Sequence, residues 1–406
     1  MKKMLAALMA CMLLLSAIPA TADNVRTSGD YQYTIKGNGT ATIVGYTGKQ
    51  NDIILPSLID GYTITTIGAN AFACERKANT RISVSLPSNI TSIEDMAFYN
   101  RNVYSINIPD SLAHIGYGAF SGCAREIQFR IANNHPYFAT INGSLYNKRT
   151  KELLKWCYVD TFYGAEAIPE GITSIGSYSF ENMDGSTGET GQAGLDFPLS
   201  ITQIGEGAFK NAERFILTFN TNSNIRTIPD WAFGGDIKDN FYAVRIDALP
   251  YGVKHIGNYA FQDALYIPSA RVDAPTFDEF LSQVEAIGQY AFSYFRYSTN
   301  EQMTITIPES CKLIGEGAFY KIDNDVYGIS LAVGVERIES KAFIINSPKY
   351  ETVYLPDSLI YIANDAFNAD TKFIVEKGSY AERWAEENAY NYTINGEEQN
   401  LDWLNN

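Results

Sequence analysis

Residues 204–209 read IGEGAF, and residues 314–319 read IGEGAF again. The pair belongs to a wider series in which an Ile is followed five places later by a Phe. Ile67, Ile93, Ile115, Ile175, Ile204, Ile228, Ile256, Ile287, Ile314, Ile338 and Ile362 are each followed in this way, from Phe72 to Phe367, in eleven copies without exception. Successive Phe residues stand 22 to 31 positions apart, save for one gap of 60 before Phe180. A recurring interval of that length marks a solenoid, in which each repeat is one coil stacked on the next.

The slots around the Phe say what such coils need. The residue before it is Ala in ten copies and Ser179 in the other, so the position takes only a small side chain. Three places before the Ile lies a further apolar residue in every copy, such as Ile90, Leu112, Val284 or Cys311. A fixed set of large and small apolar positions is what stacking requires, because a coil buries its apolar edge only against its neighbours. Eleven Phe rings in register then form an aromatic spine. Gly follows the Ile in seven copies, whereas Glu94, Pro229, Glu339 and Ala363 fill the slot elsewhere. Proline holds φ near about −65°, so the slot does not demand positive φ, and close approach of a neighbouring backbone is the expected reason for the glycines.

Upstream of the hexapeptide most copies carry an alternating run that ends in Pro: SVSLP at 83–87, SINIP at 105–109, TITIP at 304–308 and TVYLP at 352–356. Period-two alternation with β-branched residues reads as a strand, and the Pro ends it. The expected fold is therefore a repeat solenoid, mainly β with one parallel strand per coil. The IxxIGxxAF segment reads as extended or single-turn structure rather than helix, given its glycines and nearby prolines.

The ends and insertions divide the chain. It opens MKKMLAALMACMLLLSAIPATADN, whose Lys2, Lys3, apolar stretch and Ala20-Thr21-Ala22 read as a secretory signal peptide over 1–22. A lipoprotein reading at Cys11 is disfavoured because the apolar stretch runs past it. YQYTIKGNGTATIVGYTG reads as a hairpin, giving an N-terminal β cap over 23–61; eleven coils follow over 62–375. The 60-residue gap holds an insertion at about 130–165, where Asn142-Gly143 and a second turn near 148–151 read as strand and hairpin. DGSTGETGQAG (184–194) reads as a Gly/Ser/Thr-rich loop and PSARVDAPTFDEFLSQ (268–283) as a second insertion, neither with a chemical signature. GSYAERWAEENAY has helix formers and an apolar stripe of Ala381, Trp384, Ala385 and Ala389, giving a C-terminal helical cap at 376–395 and an acidic tail at 396–406.

Together, the IPxSLxxIGxxAF coils, YTIxGxGTATIxGYTG at the start, the NGSLYN insertion and GSYAExWAEEN at the end resemble the BspA-type bacterial leucine-rich repeats over roughly residues 30–395. The resemblance implies a leucine-rich-repeat-like fold. It also implies a protein exported by a host-associated bacterium, acting in adhesion to host proteins or other cells. No wall-anchoring signal and no appended enzyme or immunoglobulin-like domain is read in the sequence, which leaves the mode of attachment open.

Charge and composition narrow the chemistry. Formal net charge is −15, and loss of Lys2 and Lys3 with the leader makes it −17. Nothing would neutralise phosphates, so a nucleic-acid partner is not expected. No second apolar stretch approaches the ~20 residues of a membrane span. The acidic residues show no calcium-loop spacing. His114 and His255 share one repeat slot and read, with His135, as ordinary loop residues rather than metal ligands. Cys74, Cys123, Cys157 and Cys311 form no CxxC pattern and read as reduced, apolar thiols. No cofactor is expected.

A binding or adhesion module and a carbohydrate-active enzyme on a β-solenoid scaffold are the two function classes. The second needs a cluster of carboxylates or bases on one sheet face, where the outward strand positions are mainly small and neutral, so a non-enzymatic, monomeric, extracellular protein binding a host protein or glycan is expected. In the strands, alternation sends Val84, Leu86, Ile106, Ile108, Ile305, Ile307, Val353 and Leu355 inward. Asn107, Gln128, Arg245, Tyr266, Thr306, Thr352 and Tyr354 then face solvent as the candidate ligand-binding residues, with Tyr266, Tyr354 and Arg245 as the large anchors.

Overall fold

In the computed structural model the described residues are 24–75, 78–157, 166–187, 191–235, 244–269, 273–298, 302–322 and 325–396. The leader at 1–22, with Cys11, residues 158–165 of the insertion, and the acidic tail beyond Gly396 lie outside them. The described residues form two compact units, 24–149 with 154–157, and 150–153 with 166–396.

In the first unit the cap is the expected hairpin. Tyr31–Lys36 pairs antiparallel with Thr40–Tyr46, which pairs parallel with Tyr62–Ile67 and so starts the coil ladder. Tyr33, Ala41 and Ile43 are buried, so the hairpin closes the apolar end that a first coil would otherwise expose. A second sheet runs Asp52–Ile54, Ile82–Ser85, Val103–Ile108 and Gln128–Ile131, all parallel.

Coils carry more than the one strand read in the sequence. After the long strand and its Pro, the last two residues of the IxxI segment form a second, two-residue strand. Tyr62–Ile67, Ser92–Ile93 and His114–Ile115 pair in this way in the first unit. Thr227–Ile228, His255–Ile256, Ala286–Ile287, Leu313–Ile314, Arg337–Ile338 and Tyr361–Ile362 do so in the second. His114 and His255 thus belong to short strands, not loops, and His135 is a buried structural residue whose Nδ1 accepts from the Tyr137 and Phe138 backbone N–H groups.

The hexapeptide bonds in both directions. The residue after the Ile donates its N–H to the preceding coil, as Gly205 does to Ile175 and Gly288 to Ile256, both at 2.7 Å. The Phe donates to the Ala carbonyl of the following coil: Phe209 to Ala232, Phe261 to Ala291 and Phe292 to Ala318, at 2.8, 2.8 and 2.7 Å. Such pairing is what allows these backbone groups to be buried at all. The glycines follow from it. A Cβ on Gly205 would stand 2.2 Å from the Ser177 nitrogen, and one on Gly257 2.5 Å from the Asp230 nitrogen.

The spine forms within each unit. Phe72, Phe98 and Phe120 stack in the first, at 5.1 and 5.7 Å. In the second, Phe180, Phe209, Phe233, Phe261, Phe292, Phe319, Phe343 and Phe367 stack at 4.4 to 5.7 Å. The helix Tyr380–Glu387, capped by Ser379, covers the last coil with Trp384 packed on Phe367 and Phe373.

Among the described residues the four cysteines form no disulfide, and Cys123, Cys157 and Cys311 are buried. Burial pushes the Cys311 thiol up to about 12, which suppresses the thiolate that oxidation requires. Alkylation of the unfolded mature protein without reductant should label four cysteines; mass spectrometry showing fewer would mean that a pair had formed.

Candidate ligand-binding groove

The two-residue strands of the second unit present one outward residue per coil. These are Ser174 and Gln203, in a sheet that begins with Glu152 of the longer strand Glu152–Lys155, and in the next sheet Thr227, His255, Ala286, Leu313, Arg337 and Tyr361. Beside this column runs the slot after the Ile, where Gly176, Gly205, Gly257, Gly288 and Gly315 leave no side chain. A trough results, floored by backbone. It holds two hollows that meet at Thr227, one of about 610 Å³ bounded by Glu152, Ser174, Gln203 and Arg226, and one of about 480 Å³ bounded by Asp230, His255, Ile256 and Leu313.

The far wall is held by side chains that replace missing backbone bonds. Asp230 accepts from the Asn258 backbone at 2.7 Å and from its amide at 2.9 Å, and the Asn258 side chain accepts in turn from the Gln289 backbone at 2.8 Å. Next to this wall, the third residue after the Ile has φ between 51° and 59° in ten coils, including Tyr178, Trp231, Tyr259 and Tyr290. Bulky residues seldom take that conformation, yet here the rings lie on one another: Trp231 on Tyr259 at 4.4 Å and Tyr259 on Tyr290 at 5.6 Å.

The repeated hexapeptide belongs to this wall. Tyr178 donates to Glu206 at 2.6 Å and Tyr290 donates to Glu316 at 2.9 Å. A Cβ on Gly207 would lie 2.4 Å from the Tyr178 ring, and one on Gly317 2.3 Å from the Tyr290 ring. For Tyr178 and Tyr290 the next coil supplies Gly beneath the ring and Glu for the hydroxyl, whereas Tyr259 is followed by Gln289 and Tyr290 and stacks on the latter instead. That is the reason for two identical copies of GEG.

Charges in the groove are mostly paired. Lys254 donates to Glu285 at 2.6 Å and holds its carboxyl below the usual range, with His255 3.7 Å from the same side chain. Arg337 pairs with Glu339 at 2.9 Å and lies over the Tyr361 ring at 4.3 Å. Glu152 differs. Its carboxylate accepts from the Thr150 hydroxyl at 3.3 Å, no ion pair reaches it among the described residues, and burial raises its pKa.

The residues expected to bind from the long strands are placed unevenly. Tyr266 does not face solvent: it is fully buried, in register with Ile246 and Tyr297, and its hydroxyl donates to the Pro275 carbonyl. The insertion supplies the cause, since its helix Phe277–Leu281 packs Phe280 on Phe261 and Phe277 on Tyr297 over this part of the core. Asn107 is half-buried and spends its amide on both backbone groups of Leu86. Arg245 is paired with Asp247 at 2.6 Å, and Tyr354 donates to Glu376 at 2.8 Å. Gln128 and Thr352 are exposed and Thr306 is half-exposed. Asn107 and Gln128 belong to the first unit and the other five to the second. Sequence reasoning missed the groove, although its two signals, a Gly column and a polar residue before most of the Ile positions, were both present.

Among the described residues no group of three or more His, Cys, Asp or Glu side chains is placed to hold a metal ion, and no helix is long and apolar enough to cross a membrane.

The family model for the BspA type leucine rich repeat region matches residues 46–156, 157–294 and 240–374, with six copies. The chain belongs to this family. Similar solved structures include a leucine rich cell surface protein from Faecalibacterium prausnitzii, 18% identical, covering 94% of this chain and 96% of that one with a TM-score of 0.43. A leucine-rich repeat protein from Eubacterium ventriosum is 17% identical over 85% and 94% of the two chains, TM-score 0.39. The pneumococcal vaccine antigen PcpA is 14% identical over 93% and 99%, TM-score 0.33. No curated protein matches this BspA-type chain by sequence.

Proposed function

We propose that this BspA-type repeat protein is a secreted or cell-surface bacterial binding protein, and that the groove on its short-strand face takes an extended ligand from a host protein, a glycan or another cell. The observation that carries the reading is the pair of hollows that meet at Thr227 along the short-strand face. Repeat proteins use such extended surfaces because each coil adds one rung of contact without rearranging the others. The leader sequence and the family support export, and adhesion is the role that fits a surface-held binder without a catalytic cluster in its groove.

Blocking the groove is the test. Thr227→Arg and Gln203→Arg place a long cation on exposed positions and leave the core untouched, so both should fold as the parent does. Each should weaken binding to any host protein, glycan or cell found on an array by about tenfold or more. Gln128→Ala with Thr352→Ala, on the long strands, should leave it unchanged. Loss in the long-strand pair alone would move the site to that face. Cleavage of any member of a polysaccharide panel would instead favour the enzyme.

A further inference from the structure

We propose that the groove takes an extended peptide, seating an ammonium group at Glu152, a carboxylate near Arg226 and aliphatic side chains over the hollow beyond. The inference rests on the groove being the binding surface and names the chemistry of its occupant. Glu152 sits in the wall of the larger hollow, its Oε1 over Gly176, with no cation among the described residues to neutralise it. A carboxylate held partly out of water without a partner is unfavourable, and burial accordingly pushes its pKa up. An entering ammonium supplies the missing charge.

Spacing and floor chemistry select a peptide. Glu152, Ser174 and Gln203 occupy successive rungs, and the coil of Arg226 follows. Three rungs span about 14 Å, the length of about four extended residues. Arg226 is exposed and gives one N–H to the Gly252 carbonyl at 2.8 Å, leaving its remaining donors to face a carboxylate. Between the two charges lie Ser174, Thr202 and Gln203, which suit a polar main chain. Beyond Thr227 the exposed lining turns apolar, with Pro229, Ala286 and Leu313, and His255 is the one aromatic ring among the lining residues. Sugar rings present flat C–H faces that stack on aromatic side chains; branched aliphatic side chains need only an aliphatic floor. The occupant is therefore a peptide with a basic group, an acidic group about four residues on, and an apolar segment after it.

The probe is a library of eight-residue synthetic peptides on the intact mature protein. It carries lysine, acetyl-lysine or norleucine at the first position, aspartate or asparagine at the fifth, and leucine or serine at the last three. Lysine, aspartate and leucine should be selected, and acetylation of the lysine should weaken binding about tenfold or more. In Glu152→Gln, a near-isosteric change, lysine and acetyl-lysine peptides should bind alike, which isolates the pair as a double-mutant cycle does. Equal affinity of the parent for lysine and acetyl-lysine peptides overturns the ammonium seat, as does an unchanged acetylation effect in Glu152→Gln. If Thr227→Arg still blocks the peptides in that case, the groove stands and only its stated chemistry falls. If the peptides bind Thr227→Arg as well as the parent, the groove reading itself falls. Retention of chitosan oligomers with no peptide retained overturns the peptide class.

Discussion

Phe261→Ala is expected to lower the stability of the unit of residues 150–153 and 166–396 by about 3–5 kcal/mol. Phe261 is fully buried, stacked between Phe233 at 5.2 Å and Phe292 at 5.1 Å, with Phe280 and Phe295 edge-on to it. Truncation removes contacts on both faces at once, and the coils cannot collapse into the space without breaking the Phe261 bond to Ala291 and its equivalents. Urea denaturation followed by circular dichroism measures the loss. The neighbouring small slot should fail in the opposite sense, since Ala208→Leu adds volume where none is free, at about 1–3 kcal/mol. A Phe261→Ala protein that unfolds at the parental urea concentration would mean that the ring stack contributes little.

Gly205→Val is the second large effect, expected at about 3 kcal/mol. The added carbons would meet backbone atoms, the Ser177 nitrogen at 2.2 Å and the Gly176 carbonyl carbon at 2.6 Å for Cβ alone. Backbone cannot swing aside as a side chain does, so two coils must separate. Gly171→Ala provides the contrast. Gly171 has φ +88° with open space around it, so the penalty there is conformational only, about 1–2 kcal/mol. Thermal melts that rank Gly171→Ala below Gly205→Val would show that conformational freedom, not coil contact, is what the slot requires.

Much of the fold was legible because the Ile-to-Phe spacing fixes the phase of every coil, and phase decides which residues are buried. The close-approach reading of Gly205 and Gly257 followed from Pro229 occupying the same slot. What escaped was structure too short to show a pattern: a two-residue strand has no period. Tyr266 was misplaced because Leu265 and Ile267 flank it, so either phase of the alternation satisfied the strand rule. The register with Ile246 settles the phase, and that register exists only once coils are stacked. The left-handed slot was hidden for a different reason. Tyr and Trp are not residues that announce such a backbone, and the stack of Trp231, Tyr259 and Tyr290 exists only once three coils lie on one another. A groove made of one residue per coil is likewise invisible along the chain, since Ser174 and Gln203 are neighbours in space and 29 positions apart in sequence.

Pro229 has one more effect. Elsewhere the short ladder closes each rung with N–H donors, as Lys254 and Gly257 donate to Arg226 and Ile228. Pro229 has no N–H, and the strands Gln203–Ile204 and Thr227–Ile228 belong to separate sheets. In a linear array, stability is the sum of each coil's own free energy and its coupling to the next, so a rung with fewer bonds is a place where cooperativity is interrupted. An unfolding front that enters from either end meets a boundary there. Amide protons on its two sides should therefore exchange as separate groups, each with its own opening free energy.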